Sequence, residues 1–198
     1  RPEYRRLAAI KTTFPEAAVH AYTATATERV RRDIVAQLGL TDPDVLVGTF
    51  DRPNLQYRVV ERGDLNAQVH QVLLRHAGEA AIVYCISRDD TERLAAALRA
   101  RGVRAAHYHA GMEAAARTKT QEAFAAEKLD VVVATVAFGM GIDRSNVRCV
   151  IHAALPKSVE QYQQETGRAG RDGLEAECVL FTAPADVARW ERLFNMSG

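Results

Sequence analysis

The chain has 198 residues, of which 47% are hydrophobic and 26% are charged, and its formal net charge is +1. This composition is ordinary for a folded α/β protein and excludes a disordered or collagen-like chain. The near-neutral charge provides no global basic field, so nucleic-acid binding would have to depend on local placement of charge. No apolar run reaches the roughly 18 residues of a membrane span, and the N-terminal segment lacks the apolar core of a signal peptide.

The first fifty residues contain few predicted elements of secondary structure. The chain begins with Arg1 rather than Met, so we expect a piece of a longer protein or a processed product. Thr25 or Thr27 would cap the one predicted helix. The predicted elements are a strand near 18–22, a helix near 27–38 and a short strand at 45–49. Because three elements cannot bury a sheet on both faces, we expect this segment to be an incomplete domain.

A turn-rich stretch at 49–56 separates this segment from the rest. Pro53 restricts the backbone of the residue before it and favours a turn or an extended linker. We therefore place one domain at 1–52 and a second at 53–198.

In the remaining chain, short apolar runs alternate with amphipathic segments of helical length, a pattern that predicts a mostly parallel sheet with crossover helices. The predicted strands are 57–60, 82–86, 104–108, 131–135, 148–152 and 177–182. The predicted helices lie near 65–76, 89–101, 113–127, 158–168 and 184–195. Asp89 and Glu92 have capping-box spacing, and Gly102 would stop the same helix. The wholly apolar run 131–134 is typical of a central strand that is buried on both faces.

The cysteines and histidines give little sign of a metal site. Cys85, Cys149 and Cys178 each sit in an apolar run without a Cys-x-x-Cys pair, which predicts buried thiols in strands, with no metal and no disulfide. His107 and His109 alternate on a predicted strand and should face the same side. With no third ligand at suitable spacing, a polar surface contact is favoured over zinc.

The segment 161–173 is the most informative one for function. Arg168 and Arg171 are three residues apart, which predicts two guanidinium groups on one side of a helix. Gly167 and Gly170 beside them suggest that something approaches the backbone closely. Two guanidinium groups, each able to donate a pair of hydrogen bonds, on a surface without bulky side chains suit a multiply charged anion such as a nucleotide phosphate. On composition alone, a solvated Arg-Gly turn is an equal alternative.

Two further segments follow predicted strands. Thr135 stands at the carboxyl end of the buried strand, where ligands bind in open α/β sheets. The Gly-x-Gly that ends at Gly141 permits tight turns, and Asp143 would accept from a ribose hydroxyl, pair with an arginine, or simply form a turn. Ser87 and Arg88 lie between a strand and a helix, where free N–H groups favour phosphate, although a helix cap is the commoner role.

Taken together, these segments resemble superfamily 2 helicases, and the RecQ family specifically. The matches are TATAT with motif III, YCISR with motif IV, ATVAFGMGID with motif V and QETGRAGRDG with motif VI. Four motifs in order and at the right spacing are far more specific than any one of them, and AFGMGIDRSNVR favours RecQ over the DEAD-box RNA helicases. The resemblance covers essentially the whole chain.

The resemblance implies an α/β, RecA-like fold of the P-loop NTPase type without its own P-loop. Residues 1–52 would be the C-terminal part of a first motor domain, and 53–198 the second motor domain. Arg168 and Arg171 would reach the γ-phosphate of ATP, one of them as an arginine finger. Gln164 would help to sense the nucleotide. Gly141 and Asp143 would also contribute to the nucleotide site, Asp143 through the ribose or through an arginine.

The resemblance also implies a DNA track. The residues expected to hold the phosphate backbone of single-stranded DNA are Ser87, Arg88, His109 and Thr135. Thr23 and Thr25 would couple the ATP site to this track. Arg1 and Tyr4 would be the remnant of the aromatic-rich loop that follows motif II.

Departures from the family pattern limit what the chain would do alone. The sequence has no Gly-Lys pair for a P-loop and no Asp-Glu pair for motif II, so ATP and Mg²⁺ would be held mainly by residues absent here. We expect part of a 3′–5′ DNA helicase of recombination and repair that is inactive as a fragment, with a zinc module after residue 198. Its partners would be single-stranded DNA and duplex junctions, in the cytoplasm and nucleoid of a bacterium or in a nucleus.

Two alternatives stay open from the sequence. The chain would instead be a non-catalytic nucleic-acid or protein-binding module with a decayed motor fold, or a doubly wound α/β enzyme of unrelated function. Arg168 and Arg171 count against decay, because a decayed motor has no need to keep them. The second alternative needs a self-contained active site, and we find no nucleophile–base pair or cofactor loop to supply one.

Overall fold

The computed structural model describes residues 7, 9–23, 26–48, 51–136, 138 and 144–195. The chain divides into two compact units, Arg1–Asp51 and Arg52–Gly198. Within the described residues, every helix is too short or too polar to cross a membrane.

The first unit contains helices α1 (Ala9–Thr13) and α2 (Glu28–Leu38). Helix α2 is the predicted one: the Thr27 hydroxyl accepts from the Val30 N–H at 3.4 Å, and Gly39 ends the helix in the left-handed conformation at φ 61°. The sequence did not predict α1. The strands predicted at 18–22 and 45–49 are wrong over the described residues, all of which are irregular. Apolar side chains alone do not make a strand, because its backbone groups need a neighbouring strand.

The second unit is built on a six-stranded sheet in which every described strand pair is parallel. The strands are β1 (Leu55–Glu61), β2 (Ala80–Tyr84), β3 (Ala105–Tyr108), β4 (Val131–Ala134), β5 (Val147–His152) and β6 (Ala176–Thr182), and their order across the sheet is β1-β6-β5-β2-β4-β3. The helices are α3 (Leu65–Arg75), α4 (Arg88–Ala100), α5 (Ala114–Ala125), α6 (Val159–Thr166) and α7 (Pro184–Asn195). All eleven predicted elements of this unit are present, and the α/β fold class is confirmed.

The sheet is covered on both faces. Strands β2 and β4 are buried along their whole lengths, as their continuous apolar sequences predict. Alternate residues of each strand point to opposite faces. Val69 of α3 and Leu98 of α4 pack on one face, and Phe124 of α5 packs on the other.

The three cysteines lie in this core. Cys149 is in β5, Cys178 is in β6 and Cys85 directly follows β2, and all three are buried free thiols. Burial raises the pKa of Cys85 and of Cys178 to about 12. The predicted burial of the thiols is therefore confirmed, with Cys85 one residue beyond its strand.

Helix α4 begins one residue earlier than predicted and has a different cap. Its N-cap is Ser87, whose hydroxyl accepts from the Asp90 N–H at 3.1 Å and donates to the Asp90 carboxylate at 2.6 Å. The capping box predicted at Asp89 and Glu92 is therefore wrong. Ser87 has the extended backbone of an N-cap residue, and its short side chain reaches the Asp90 N–H in the first turn. Asp89 lies inside the helix and therefore cannot cap it.

Candidate functional site

Four of the predicted DNA-contacting residues lie at one edge of the sheet, which we call the carboxyl edge: Ser87, Arg88, His109 and Thr135. They follow β2, β3 and β4, which are neighbours in a parallel sheet, so their carboxyl ends emerge side by side. The Thr135 N–H donates to the Tyr108 carbonyl at 3.2 Å and ties the ends of β3 and β4 together.

Most polar side chains of the carboxyl edge already have partners within the protein. The Ser87 hydroxyl is used by the helix cap, the alternative role that the sequence had offered for it. His109 is only 5% exposed, and its Nε2 lies 2.7 Å from Glu92 Oε1. Arg88 is exposed, and its guanidinium lies against Gly111, where an added Cβ would come within 2.7 Å of it. Arg88 is therefore the exposed cation among the four predicted residues at this edge.

Arg168 and Arg171 lie in the turns that follow α6, residues 167–173, which we call the arginine loop. Helix α6 ends at Thr166 rather than at 168, so the prediction of two arginines on one side of a helix is wrong. The chain leaves the helix because the Gly170 N–H donates to the Val147 carbonyl at 2.9 Å, at the start of β5. Gly170 has a φ of 54°, a left-handed conformation through which a helix cannot continue.

The arginine loop is held by residues at the start of the second unit. Asn54 donates to the carbonyls of Gly170 at 2.9 Å and Leu174 at 2.8 Å. Arg52 donates to the carbonyls of Ala169 at 3.0 Å and Gly170 at 2.8 Å. A Cβ on Gly170 would lie 2.5 Å from Asn54 Nδ2 and 2.6 Å from the Leu174 carbonyl oxygen. The close approach inferred at this glycine thus comes from the protein itself.

Arg171 presents its charge to solvent. The side chain is exposed, and its Nε donates to the Gly167 carbonyl at 3.4 Å. The neighbouring carboxylate, Asp172, pairs instead with Arg148 at 2.5 Å, and the hydrogen bond from Arg148 lowers the pKa of Asp172. Within the described part of the chain, no carboxylate forms an ion pair with Arg171. An external anion could therefore bind this guanidinium without breaking an ion pair to any described residue.

A buried polar cluster beneath α6 was missed by the sequence reasoning. His152 Nε2 lies 2.7 Å from Glu165 Oε2, and both residues are less than 5% exposed. Gln161 donates to the other oxygen of Glu165 at 3.0 Å. The Tyr84 ring stacks on His152 with centroids 5.4 Å apart. The available signal was a histidine ending an apolar strand sequence and a glutamate on the buried side of a short helix.

This cluster contacts the segments that resemble motif V and motif VI. The Tyr84 hydroxyl donates to the Phe138 carbonyl at 3.1 Å, within the segment that resembles motif V. Burial raises the pKa of Tyr84 well above its usual value, and the Arg168 guanidinium, which hydrogen-bonds to Tyr84, opposes that rise. Arg168 is half-buried and so differs from the exposed Arg171. Gln164, on the last turn of α6, is exposed.

The remaining predicted residues lie elsewhere. Thr23 is exposed in the first unit. The others lie outside the described residues: Arg1, Tyr4, Thr25, Gly141 and Asp143.

The structure also places a third potential metal ligand, Glu92, beside the two histidines. His107 and His109 are on the face of the sheet that α4 covers, and the second turn of α4 brings Glu92 next to them. One ligand atom from each residue lies within 4.8 Å of the other two. Sequence spacing could not show this, because the contact joins different elements.

Residues 64–173, over half of the chain, match the helicase conserved C-terminal domain. The chain is 51% identical over 188 residues to the ATP-dependent DNA helicase RecQ of Pasteurella multocida. The chain belongs to the RecQ family of superfamily 2 helicases. That alignment covers 95% of the chain and 30% of the relative. The ATP-dependent DNA helicase RecQ of Haemophilus influenzae is 49% identical, over 98% of the chain and 31% of the relative.

A solved structure agrees with the fold of this RecQ-family chain. S. cerevisiae Dbp5 bound to RNA and ADP BeF3 matches with a TM-score of 0.73 at 16% identity, over 96% of the chain and 51% of Dbp5. At this identity the match supports the RecA-like fold alone. The chain spans about a third of the length of the curated relatives that it matches.

Proposed function

We propose that this chain is the part of an ATP-dependent 3′–5′ DNA helicase that supplies an arginine finger and a grip on single-stranded DNA. The observation that carries the proposal is the exposed Arg171 guanidinium, whose adjacent carboxylate is held by Arg148. The names of the two bacterial relatives support ATP and DNA as ligands. In this proposal residues 1–52 end a first motor domain, and 53–198 form the second.

Arg171 is the better candidate for the finger. A finger must reach charge that develops on a phosphoryl group bound by another domain, so its guanidinium must be exposed while its backbone is fixed. Arg171 has an exposed side chain, and its loop is fixed by Arg52 and Asn54. Arg168, which hydrogen-bonds to Tyr84, would join the loop to the buried cluster and contact the nucleotide from there. Gln164 and Asp143 would add the nucleotide contacts that the family resemblance implies.

ATP and Mg²⁺ would be held mainly by a first motor domain. The two arginines suit a triphosphate, but the sequence has neither the Gly-Lys pair that cradles phosphates nor the Asp-Glu pair that holds the metal. The domain would therefore bind and orient the charge of a nucleotide that its neighbour holds. We expect negligible ATP hydrolysis by the 198-residue chain alone, measured by phosphate release. A turnover close to that of a whole helicase would contradict this.

DNA would bind along the carboxyl edge through its phosphates. Arg88 supplies the exposed charge there, and Ser87, His109 and Thr135 line the same edge. Contacts to phosphates do not read sequence and weaken as salt rises. ATP binding and hydrolysis would close and open the interdomain cleft and move this grip along one strand. The 3′–5′ direction, the role in recombination and repair, and the preference for junctions rest on the family resemblance.

The direct test is Arg171→Ala in the full-length protein. Loss of an arginine finger should lower ATP hydrolysis by about 10³–10⁵-fold while nucleotide binding persists. Arg101→Ala is a matched control, because it removes another exposed arginine at the end of α4. Hydrolysis by phosphate release and binding of a fluorescent ATP analogue would be measured for both. Unchanged hydrolysis in Arg171→Ala would remove this residue as the finger.

A further inference from the structure

Glu92, His107 and His109 form a group that the proposed ATP and DNA chemistry does not use as a unit. His107 and His109 are alternate residues at the end of β3, and their rings stack with centroids 5.5 Å apart and planes 20° apart. Glu92 reaches them from α4, with Oε1 at 2.7 Å from His109 Nε2. Two imidazoles and one carboxylate are a common three-ligand set for zinc.

The separations are compatible with a shared ion. Two ligand atoms bound to tetrahedral zinc at about 2.0–2.1 Å lie roughly 3.3 Å apart. Here the contact between Glu92 and His109 is shorter than that, at 2.7 Å, and the longest separation in the group is at most 4.8 Å. The Glu92 side chain is 54% exposed, so it can adjust and also leaves a path for an ion. The two imidazole rings would have to turn out of their stacked arrangement so that one nitrogen of each points at the ion.

The histidines can offer neutral nitrogens. Burial lowers the pKa of His107, and the charge of Glu92 only partly opposes this. The Glu92 carboxylate beside Nε2 favours the tautomer of His109 with its hydrogen on Nε2, so a metal bound at that nitrogen would displace this hydrogen and take over the contact. His109 Nδ1 is buried with no hydrogen-bond partner among the described residues. Without such an outer partner we expect binding of moderate strength.

A second group of potential ligands, His76, Cys149 and Glu177, is a poor site by the same criteria. Glu177 already accepts hydrogen bonds from Arg75 at 2.8 and 3.0 Å and lies 2.9 Å from His76. Cys149 is fully buried, which raises the pKa of its thiol well above the usual value. A metal there would have to displace an arginine and deprotonate an inaccessible thiol.

We propose that Glu92, His107 and His109 bind one divalent transition-metal ion, with zinc the best match. Imidazole and carboxylate ligands suit zinc, and three protein ligands leave a fourth position for water or another ligand. The ion would replace the direct contact between Glu92 and His109 and would fix the end of β3 to α4. This site is independent of the proposed finger.

The test is titration of the 198-residue chain with ZnCl₂ by calorimetry. We expect one ion per chain with a Kd on the order of micromolar. Glu92→Gln keeps the shape of the side chain, and His107→Ala removes one ring; each should weaken binding by at least about tenfold. His70→Ala is the matched control, since His70 is a half-buried histidine of the same unit outside both ligand groups. It should bind zinc as the parent does.

Cobalt distinguishes the two groups of ligands. Co²⁺ bound to nitrogen and oxygen ligands gives visible bands without a thiolate charge-transfer band. A thiolate band would place the ion at Cys149 and overturn the proposal. Zinc affinity that is unchanged in the surface variant Glu92→Gln, or absence of binding at about 100 µM, would overturn it as well. Circular dichroism of each variant establishes that it is folded.

Discussion

The arginine loop and the carboxyl edge both carry motif residues, but they use them in opposite ways. In the arginine loop the backbone is held by Arg52 and Asn54, while the Arg171 side chain is left for solvent. At the carboxyl edge the side chains of Ser87 and His109 are held by Asp90 and Glu92. The loop has a fixed backbone with an exposed charge, whereas two polar side chains of the edge are engaged by neighbouring carboxylates and only Arg88 of the four predicted residues is exposed.

This difference shows that a motif residue can serve either of two physical purposes, to bind a ligand or to shape the surface that binds it. In the proposed role, Arg171 would stabilise charge on a nucleotide without first losing an ion pair to any residue that the structure describes. Ser87 cannot contact a phosphate without weakening the cap of α4. Ligand binding should therefore depend strongly on the loop arginine and much less on the edge serine, whereas stability should show the reverse.

The largest stability effect is expected at Gly170. Alanine there would carry the left-handed φ of 54° and would meet Asn54 and the Leu174 carbonyl at 2.5 and 2.6 Å. The left-handed backbone costs about 1–2 kcal/mol, and forced contact with backbone adds about 1–3 kcal/mol. Gly170→Ala should therefore lower the free energy of unfolding by roughly 2–5 kcal/mol, as measured with urea.

Gly173→Ala is the matched control for that experiment. Gly173 also has a positive φ, 83°, but nothing lies within 4 Å of an added Cβ. Only the backbone cost of about 1–2 kcal/mol should remain. Equal losses at the two glycines would mean that Asn54 does not hold the arginine loop. The backbone of the arginine loop would then not be fixed in the way that its comparison with the carboxyl edge requires.

The arrangement of the second unit could be predicted from sequence because its signals are local and repeated. Strands such as 131–134 are continuous apolar runs, and the helices between the strands have one apolar face. The alternation of these two patterns along the chain is enough to predict the sheet. In the first unit the same reasoning predicted strands at 18–22 and 45–49 that the described residues do not form. Strand pairing is a contact between segments, and an apolar run does not say whether a partner exists.

The sequence named candidate site residues, but it did not predict their contacts. Arg168 and Arg171 were found from their spacing, yet the end of α6 depends on the hydrogen bond from Gly170 to Val147, which is distant in sequence. The contact of Glu92 with His109 likewise joins α4 to β3. A sequence pattern gives the type of a side chain, whereas its availability depends on which neighbours the fold brings to it.

Two smaller effects should distinguish the residue that shapes the carboxyl edge from the residue that binds DNA there. Ser87→Ala should lower the free energy of unfolding by about 1 kcal/mol, since it removes the cap of α4. Arg88→Ala should leave unfolding nearly unchanged, and in the full-length protein it should lower the salt dependence of single-strand binding by about one phosphate contact. Urea unfolding and fluorescence anisotropy at several salt concentrations measure the two. If Ser87→Ala instead changed the salt dependence and Arg88→Ala did not, the roles would be exchanged.

The smallest expected effect is a change in the pKa of the Asp172 carboxyl group. It tests whether Asp172 pairs with Arg148 rather than with Arg171. The hydrogen bond from Arg148 holds the pKa of Asp172 below its usual value, so the folded state binds fewer protons there than the unfolded chain. The stabilisation is complete above the unfolded pKa, about 3.9, and is lost as pH falls through the lower folded value. Arg148→Gln should raise the pKa of Asp172, as followed by carbon NMR of the carboxyl group. If the pKa stayed low in this variant and rose only when Arg171 was also replaced, Asp172 would be able to pair with the loop arginine. Arg171 would then need its neighbour Arg148 in order to remain available to a nucleotide.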